Sequence, residues 1–492
     1  MDIVSYRGPG AAGGVSSGLE SGWKNQRQTN VSWWFVAEDA LQYVTPTAEK
    51  GNFVTHIPEP IIKGHYAYCN EFLWPVMHDL PEYASYDCDK RRLYRKFNHT
   101  FAQYINFERA GKQRQFVQDY QLALLPRLLS GSGGRSSIFW HIPWPKNVKE
   151  EFIEAIAEVA QGLLAAQSVG FHTTEYANNF LSFVQKYLGQ YTVNQTNMSV
   201  HNTNDAHKDA HASLELQMAS GFESSAYVLR PYLQSVAAPA NATKIIVQPL
   251  GIDVERWEQL SSTGKVDLER IGVAAGEKFV LSVDRADYTK SVIERMNIID
   301  HVLANNEHLR GEVAFVQICG RSRAGLPVFD QYWQDCRALG KAVNERWHKN
   351  GWEPIRWVEQ PLSAGELAAL YPVATAMLVN PVRDGLNLTA KEFVACRHST
   401  PGVLLLSPGA GVWHELGQHA LAADPRDLKG TSESIVRALH MPPDEVHTRT
   451  LMMRHKIAKN PLSLWWKQFM HAATASHHAP TEVAAELEAK SA

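Results

Sequence analysis

The chain has 492 residues, of which 45% are hydrophobic and 20% charged, and its formal net charge is -3. That length exceeds one compact core and predicts two domains of ordinary size. The near-neutral balance argues against nucleic acid or an anionic membrane as partner, so any anion must be held by a local cluster.

The first residues, MDIVSYRGPG, carry neither a charged nor an apolar signal region, so no signal peptide is expected. No apolar run approaches the ~18–20 residues that span a bilayer. The five cysteines (Cys69, Cys88, Cys319, Cys336 and Cys396) form no CxxC pair. That pattern suits a reducing, cytoplasmic setting without structural zinc. Met1–Ser5 reads as a strand, Gly8–Gly14 as a glycine-rich turn and Val31–Val36 as a second strand. Lys90–Glu108 has the spacing of an amphipathic helix, and Arg114–Val117 leads into Asp119 and Tyr120. Ser136–Ile142 reads as a buried strand stopped by Pro143, Val148–Ala166 as a helix, and Ser168–Phe171 as a short strand. The Asn-, His-, Ser- and Ala-rich stretch from about Val193 to Thr243 breaks the rhythm and reads as an inserted loop with some helix.

From Lys244–Leu250 the alternation resumes. Strand candidates are Phe279–Val283, Val313–Ile318, Ile355–Trp357, Met377–Val379 and Val403–Leu406, with helices between them. Past Pro461, LSLWWKQFM reads as an aromatic helix that crosses back onto the first domain. The expected division is 1–245 (with the insertion at about 193–243), 246–458, a crossover helix at 459–478 and a polar tail at 479–492. Strand–helix alternation in both halves predicts an α/β protein of two parallel sheets. Ligands then belong in the cleft at the carboxyl ends of their strands.

Five segments carry candidate chemistry. In SVDRADYTK a strand end delivers Arg285 and Lys290 five residues apart, a planar fork and a mobile point charge that suit a diphosphate. Two solvated surface cations would read the same way. In VRDGLNLTAKE, Gly385 permits close backbone approach. A helix beginning near Leu388 would offer free amides to an anion, and Glu392, about a turn into it, could accept two ribose hydroxyls. A capped helix with a surface glutamate is the plainer alternative. His141, in FWHIPWP, ends a buried strand between prolines, where a core histidine would also fit. Asp119 ends another strand, and Arg7 precedes Gly13 and Gly14 in the first loop.

Taken in order, these segments resemble the trehalose-6-phosphate synthase family of retaining glucosyltransferases, glycosyltransferase family 20. The resemblance runs from Arg7 to the helix around Trp465, through LWPVMHDLP, VQDYQL, HIPWP, GFHTTEYANNF, PLGID, SVDRADYTKS, NPVRDGLNLTAKEFVACR and GVLLLSPGAGVWHEL. It implies the GT-B architecture of two Rossmann-like domains, the first for the acceptor and the second for the nucleotide sugar. It implies that Arg285 and Lys290 grip the donor diphosphate beside Gly14, and that Glu392 binds the ribose. Asp384, Gly385, Asn387 and Leu388 would surround the donor glucose and phosphates, His141 would touch the donor sugar, and Asp119 would bond sugar hydroxyls near the reacting centre. Arg7 and Arg323 would hold the acceptor phosphate, and Trp74 would wall its pocket. The expected reaction moves glucose from a nucleotide-glucose, UDP-glucose in particular, to glucose 6-phosphate, with no metal and no cofactor.

The acceptor half departs from the family pattern. The stretch after HIPWP reads EEFIEAIAEVAQGLL without the usual arginine, Tyr6-Arg7 stands where Asn-Arg is typical, and the segment before Trp74 reads His65-Tyr66-Ala67-Tyr68. Glycerol 3-phosphate is therefore the alternative acceptor, and a sugar-phosphate sensor without turnover is the alternative class. The donor base (UDP, ADP or GDP) and the oligomeric state stay open. His201, His207 and His211, with Asp205 and Asp209, have a spacing that can share a metal, although the expected chemistry needs none.

Overall fold

The computed structural model describes residues 2–8, 19–20, 32–36, 52–55, 57–109, 114–130, 135–203, 242–274 and 276–474. Gly14 with most of the glycine-rich turn, His207, His211 and the polar tail lie outside the described residues. So does most of the stretch assigned to an insertion.

The first sheet takes its strands from β1 (Asp2–Val4), β2 (Ser32–Val36), β3 (Asn52–Thr55), β4 (Arg114–Gln118), β5 (Arg135–Trp140), β6 (Ser168–Phe171), β7 (Tyr191–Asn194), β8 (Ser199–Asn202) and β9 (Thr243–Val247). Their order is β3-β2-β1-β4-β5-β6-β9-β8-β7. Every pairing from β3 across to β9 is parallel, and only the β7–β8 hairpin and its junction with β9 are antiparallel. The second sheet contains β10 (Lys278–Ala286), β11 (Val313–Arg321), β12 (Ile355–Val358), β13 (Ala376–Val379), β14 (Val403–Leu406) and β15 (Leu421–Ala422), in the order β12-β11-β10-β13-β14-β15, all parallel. The apolar runs AMLV and VLLL are buried along their whole length, as strands covered by helices on both faces must be. No described helix is long and apolar enough to cross a membrane.

Two expectations change. The start of the 193–243 stretch is a hairpin, not a loop with helix. Asn194 Oδ1 accepts from the amides of Thr196 and Asn197. That turn leads into Met198 at φ 50° and folds β8 back onto β7. The strand expected to end at Ile142 ends at Trp140, because the His141 amide leaves the ladder to donate to Asp119 Oδ1 at 3.1 Å.

The aromatic helix Leu462–Thr474 returns to the first sheet, where Trp465, Trp466 and Phe469 pack on Phe116 of β4. Gly170 of β6 makes room for it: a Cβ there would sit 2.4 Å from Phe139 and 2.7 Å from Phe469. The helix thus ties the two sheets together from behind and leaves their strand ends facing each other across a cleft.

Candidate active site

Each wall of the cleft is built from residues just beyond a strand's carboxyl end. Arg7 follows β1, Asp119 follows β4, His141 follows β5 and His172 follows β6. From the other side come Arg285 in the last turn of β10, Asp287 and Lys290 after it, Arg323 after β11, and Asp384 after β13. The walls touch. A Cβ on Gly385 would lie 1.9 Å from the His141 carbonyl oxygen, so only glycine permits this approach. Tyr176 donates to the Asp384 carbonyl at 2.8 Å, and Arg383 reaches Glu175 at 2.6 Å and Asp79 at 3.2 Å.

Positive charge gathers at one end. Arg285 is accessible to solvent yet enclosed by protein, as a side chain lining a narrow cleft is. Burial lowers its pKa, and Arg323 and Arg7 push it further down against the pull of Asp287. It makes no hydrogen bond or ion pair to a described residue. Arg323 is held tightly instead. Its guanidinium pairs with Asp287, donates from Nε to Asn70 Oδ1, and lies between the rings of Trp74 (4.1 Å) and Phe329 (4.7 Å). Trp74 closes the circuit by donating from Nε1 to Asp287 Oδ1 at 3.3 Å. Burial works against the Asp287 carboxylate, but Arg323, Arg285 and Lys290 outweigh it and hold its pKa at about 2. Arg285, Arg323 and Arg7 thus gather around one carboxylate, Asp287, and make this end of the cleft suited to a phosphoryl group.

The neighbouring corner is balanced. Lys290 pairs with Asp384 at 2.5 Å, and Asn387 donates to the same carboxylate at 3.1 Å. Asn387 also caps the helix Leu388–Cys396, accepting from the Ala390 amide at 3.1 Å. Leu388 is the first residue of that helix, and half-buried Glu392 lies one turn on, receiving a hydrogen bond from Tyr371 at 3.2 Å. Burial raises the Glu392 pKa to about 7.

Asp119 sits opposite, at φ 68° and ψ 175°. That region is almost reserved for glycine and costs about 1–3 kcal/mol. Burial raises its pKa to about 7 against the bonds it accepts from the His141 and Tyr120 amides. Seven non-glycine residues among those described have positive φ, and five of them (Asp79, Asp119, Ser291, Arg323 and Asn387) border this cleft. Strain concentrated in this way marks a functional site. The His141 ring is largely buried, its Nε2 at 2.9 Å from Gln118 Oε1 and its Nδ1 at 3.2 Å from His172 Nε2.

The structure places Arg7, Trp74, Asp119, His141, Arg285, Lys290, Arg323, Asp384, Gly385, Asn387 and Leu388 around these facing strand ends, and Glu392 one turn into the helix that Leu388 begins. Sequence reasoning missed Asn70, Asp287, His172 and Tyr371. Asp287 lies inside the SVDRADYTK string, where a carboxylate between two cations was a usable signal. Asn70 had none, since its partner is 253 positions away. Among the described residues no group of three or more His, Cys, Asp or Glu is placed to share a metal.

A family model described as glycosyltransferase family 20 matches residues 11–475. The chain belongs to that family. Among its relatives in this family, a bifunctional trehalose-6-phosphate synthase/phosphatase of Thermoproteus tenax is 30% identical over 430 residues, which are 86% of this chain and 53% of that protein. The chain thus spans about half the length of that two-function relative. The trehalose-6-phosphate synthase of Mycobacterium leprae is 28% identical over 472 residues, covering 94% of this chain and 89% of that one. In fold the chain matches an α,α-trehalose-phosphate synthase of Burkholderia xenovorans in complex with glucose-6-phosphate, with a TM-score of 0.80, 24% identity, and 96% and 99% of the two chains covered. It also matches an E. coli protein bound with UDP-2-fluoro glucose, with a TM-score of 0.80, 22% identity, and 97% and 100% covered. The architecture is GT-B, two Rossmann-like halves facing across a cleft.

Proposed function

We propose that this family 20 member is a retaining glucosyltransferase that moves glucose from UDP-glucose to glucose 6-phosphate, giving trehalose 6-phosphate. The observation that carries the reading is the meeting of Arg7, Arg285 and Arg323 in one cluster, with Lys290–Asp384 and Glu392 beside it. The relatives named as trehalose-6-phosphate synthases support the same choice of substrates.

In this reading Glu392 accepts the ribose hydroxyls, and Arg285 and Lys290 meet the diphosphate. Lys290 exchanges part of its bond to Asp384 for phosphate oxygen, which frees Asp384 for the donor sugar. Arg7 and Arg323 hold the phosphate of the acceptor, whose sugar rests on Trp74 and Asp119. Breaking the anomeric C–O bond builds negative charge on the leaving diphosphate and positive charge on the sugar. Fixed cations in a closed cleft oppose the first without reorganising. The leaving oxygen takes the acceptor's proton on the same face, so the α configuration is retained without a protein nucleophile. Because Arg285 and Lys290 supply the charge, the scheme needs no metal. Five unpaired cysteines fit a cytoplasmic setting.

The test is UDP release from UDP-glucose with glucose 6-phosphate, glycerol 3-phosphate or no acceptor, with the disaccharide phosphate identified directly. Turnover is expected with glucose 6-phosphate. Release with glycerol 3-phosphate alone would reassign the acceptor, and no release with any nucleotide-glucose would refute catalysis.

A further inference from the structure

Behind the cleft a chain of hydrogen bonds runs from the backbone through two buried rings. The Leu250 amide points at His172 Nδ1 at 3.3 Å, His172 Nε2 meets His141 Nδ1 at 3.2 Å, and His141 Nε2 meets Gln118 Oε1 at 2.9 Å. His172, His141 and Gln118 are 4%, 5% and 1% accessible, and each contact is at direct hydrogen-bond distance. An amide N–H can only donate, so His172 Nδ1 must be the acceptor. Burial disfavours charge on either ring, so each carries one proton. That of His172 then sits on Nε2 and is given to His141 Nδ1, which leaves the His141 proton on Nε2, facing Gln118. Gln118 agrees with this direction: its amide nitrogen donates to the Val117 carbonyl at 3.1 Å and its oxygen faces the ring. The Gln248 carbonyl near His172 favours the opposite placement. In that arrangement the Leu250 N–H, which donates to no other backbone carbonyl, would confront another N–H.

We propose that His172 is a positioning residue that fixes His141 as the tautomer protonated on Nε2, so that His141 meets the donor sugar as a hydrogen-bond donor. The second half of that statement rests on the glucosyltransferase reading, with a sugar hydroxyl replacing Gln118 as acceptor. The first half does not.

Long-range ¹⁵N–¹H spectra of ¹⁵N-histidine-labelled full-length protein test it, with His141 assigned by its absence in His141→Gln. In the wild type, His141 Nε2 is expected to carry the proton and Nδ1 to be bare. His172→Gln, whose amide can donate as the imidazole does, retains that pattern. His172→Glu, which as the carboxylate at pH 9 can only accept, moves the proton to Nδ1 and lowers glucosyl transfer about tenfold, the worth of one hydrogen bond, while UDP affinity stays unchanged. A wild-type His141 protonated on Nδ1 overturns the proposal even if the variants do not fold, and so does a His172→Glu spectrum identical to wild type. Wild-type protein inactive with every nucleotide-glucose would defeat the transferase reading while the tautomer could still be read.

Discussion

At one end of the DRADYTK segment, which begins inside β10, the Arg285 guanidinium is exposed and makes no hydrogen bond or ion pair to a described residue. At the other end, the Lys290 amine is already paired with Asp384 at 2.5 Å. The two cations come from one motif, yet the fold holds one in reserve and balances the other. Burial and the nearby Arg323 and Arg7 disfavour the charge of Arg285 while Asp287 favours it, and with no ion pair to a described residue its guanidinium is available to an anion. Paired Lys290 ties the loop after β10 to the loop after β13 before any ligand arrives. The same two residues should therefore separate activity from stability.

Arg285→Ala gives the largest expected effect on turnover. The loss in kcat should be on the order of 10²–10³, like the loss of one oxyanion donor. Thermal unfolding should stay near the wild-type temperature, because the lost repulsion from Arg323 and Arg7 is offset by the lost attraction to Asp287, which keeps Arg323 as its partner. Lys290→Ala should lower both. It leaves the Asp384 carboxylate, only 14% accessible, with Asn387 as its remaining side-chain partner, at a cost of about 2 kcal/mol. Calorimetry beside steady-state kinetics checks the pair. Equal destabilisation by both substitutions would erase the distinction between them.

A smaller effect is expected at Asn70, which holds Arg323 by its Nε while Asp287 holds the other end of the guanidinium. Asn70→Ala should raise the KM for the phosphorylated acceptor about tenfold, the value of one charge-assisted hydrogen bond. The affinity for UDP should not move. If kcat fell instead with KM unchanged, Asn70 would matter to the closed state and not to acceptor phosphate.

A local feature adds to the distance of its partner in hiding Asn70 from the sequence. The helix Glu59–Ala67 passes into a π-turn at Tyr68–Leu73 before resuming at Trp74. The wider turn rotates everything before Trp74 relative to a regular helix, so a 3.6-residue count gives the wrong face. Asp119, by contrast, was legible as a site residue at a strand end, but its glycine-like backbone was not, because no residue type announces strain. The second sheet was the easier half to read, since its strands are continuous apolar runs punctuated by the motif loops. In the first half, β3 was missed and the β7–β8 hairpin was taken for loop, because a hairpin strand with an exposed face such as β7 lacks that signal. His172 stood inside a quoted motif, but its role depends on Leu250, whose position only the tertiary structure fixes.

The smallest predicted effect concerns Glu392 and can be isolated from the rest of the cleft. Burial lifts its pKa to about 7, against the Tyr371 hydroxyl and Arg256, both of which favour the carboxylate. Between its ordinary pKa and about 7 the folded protein binds more protons here than the unfolded chain does. This group's contribution to stability therefore falls as pH rises through that window. A nucleotide reverses the preference. Ribose hydroxyls donate to the carboxylate, favour the ionised form and expel a proton, so UDP should bind more tightly as pH approaches and passes 7. Asp119 titrates in the same range but faces the sugars, and UDP carries none at that position. Titration calorimetry of UDP near pH 6.5, in two buffers of different ionisation heat, should show more proton release in the wild type than in Glu392→Gln, where the diphosphate alone contributes. Equal release by both would place the ribose elsewhere and take Glu392 out of the nucleotide site, leaving Arg285 and Lys290 to anchor the donor through its diphosphate.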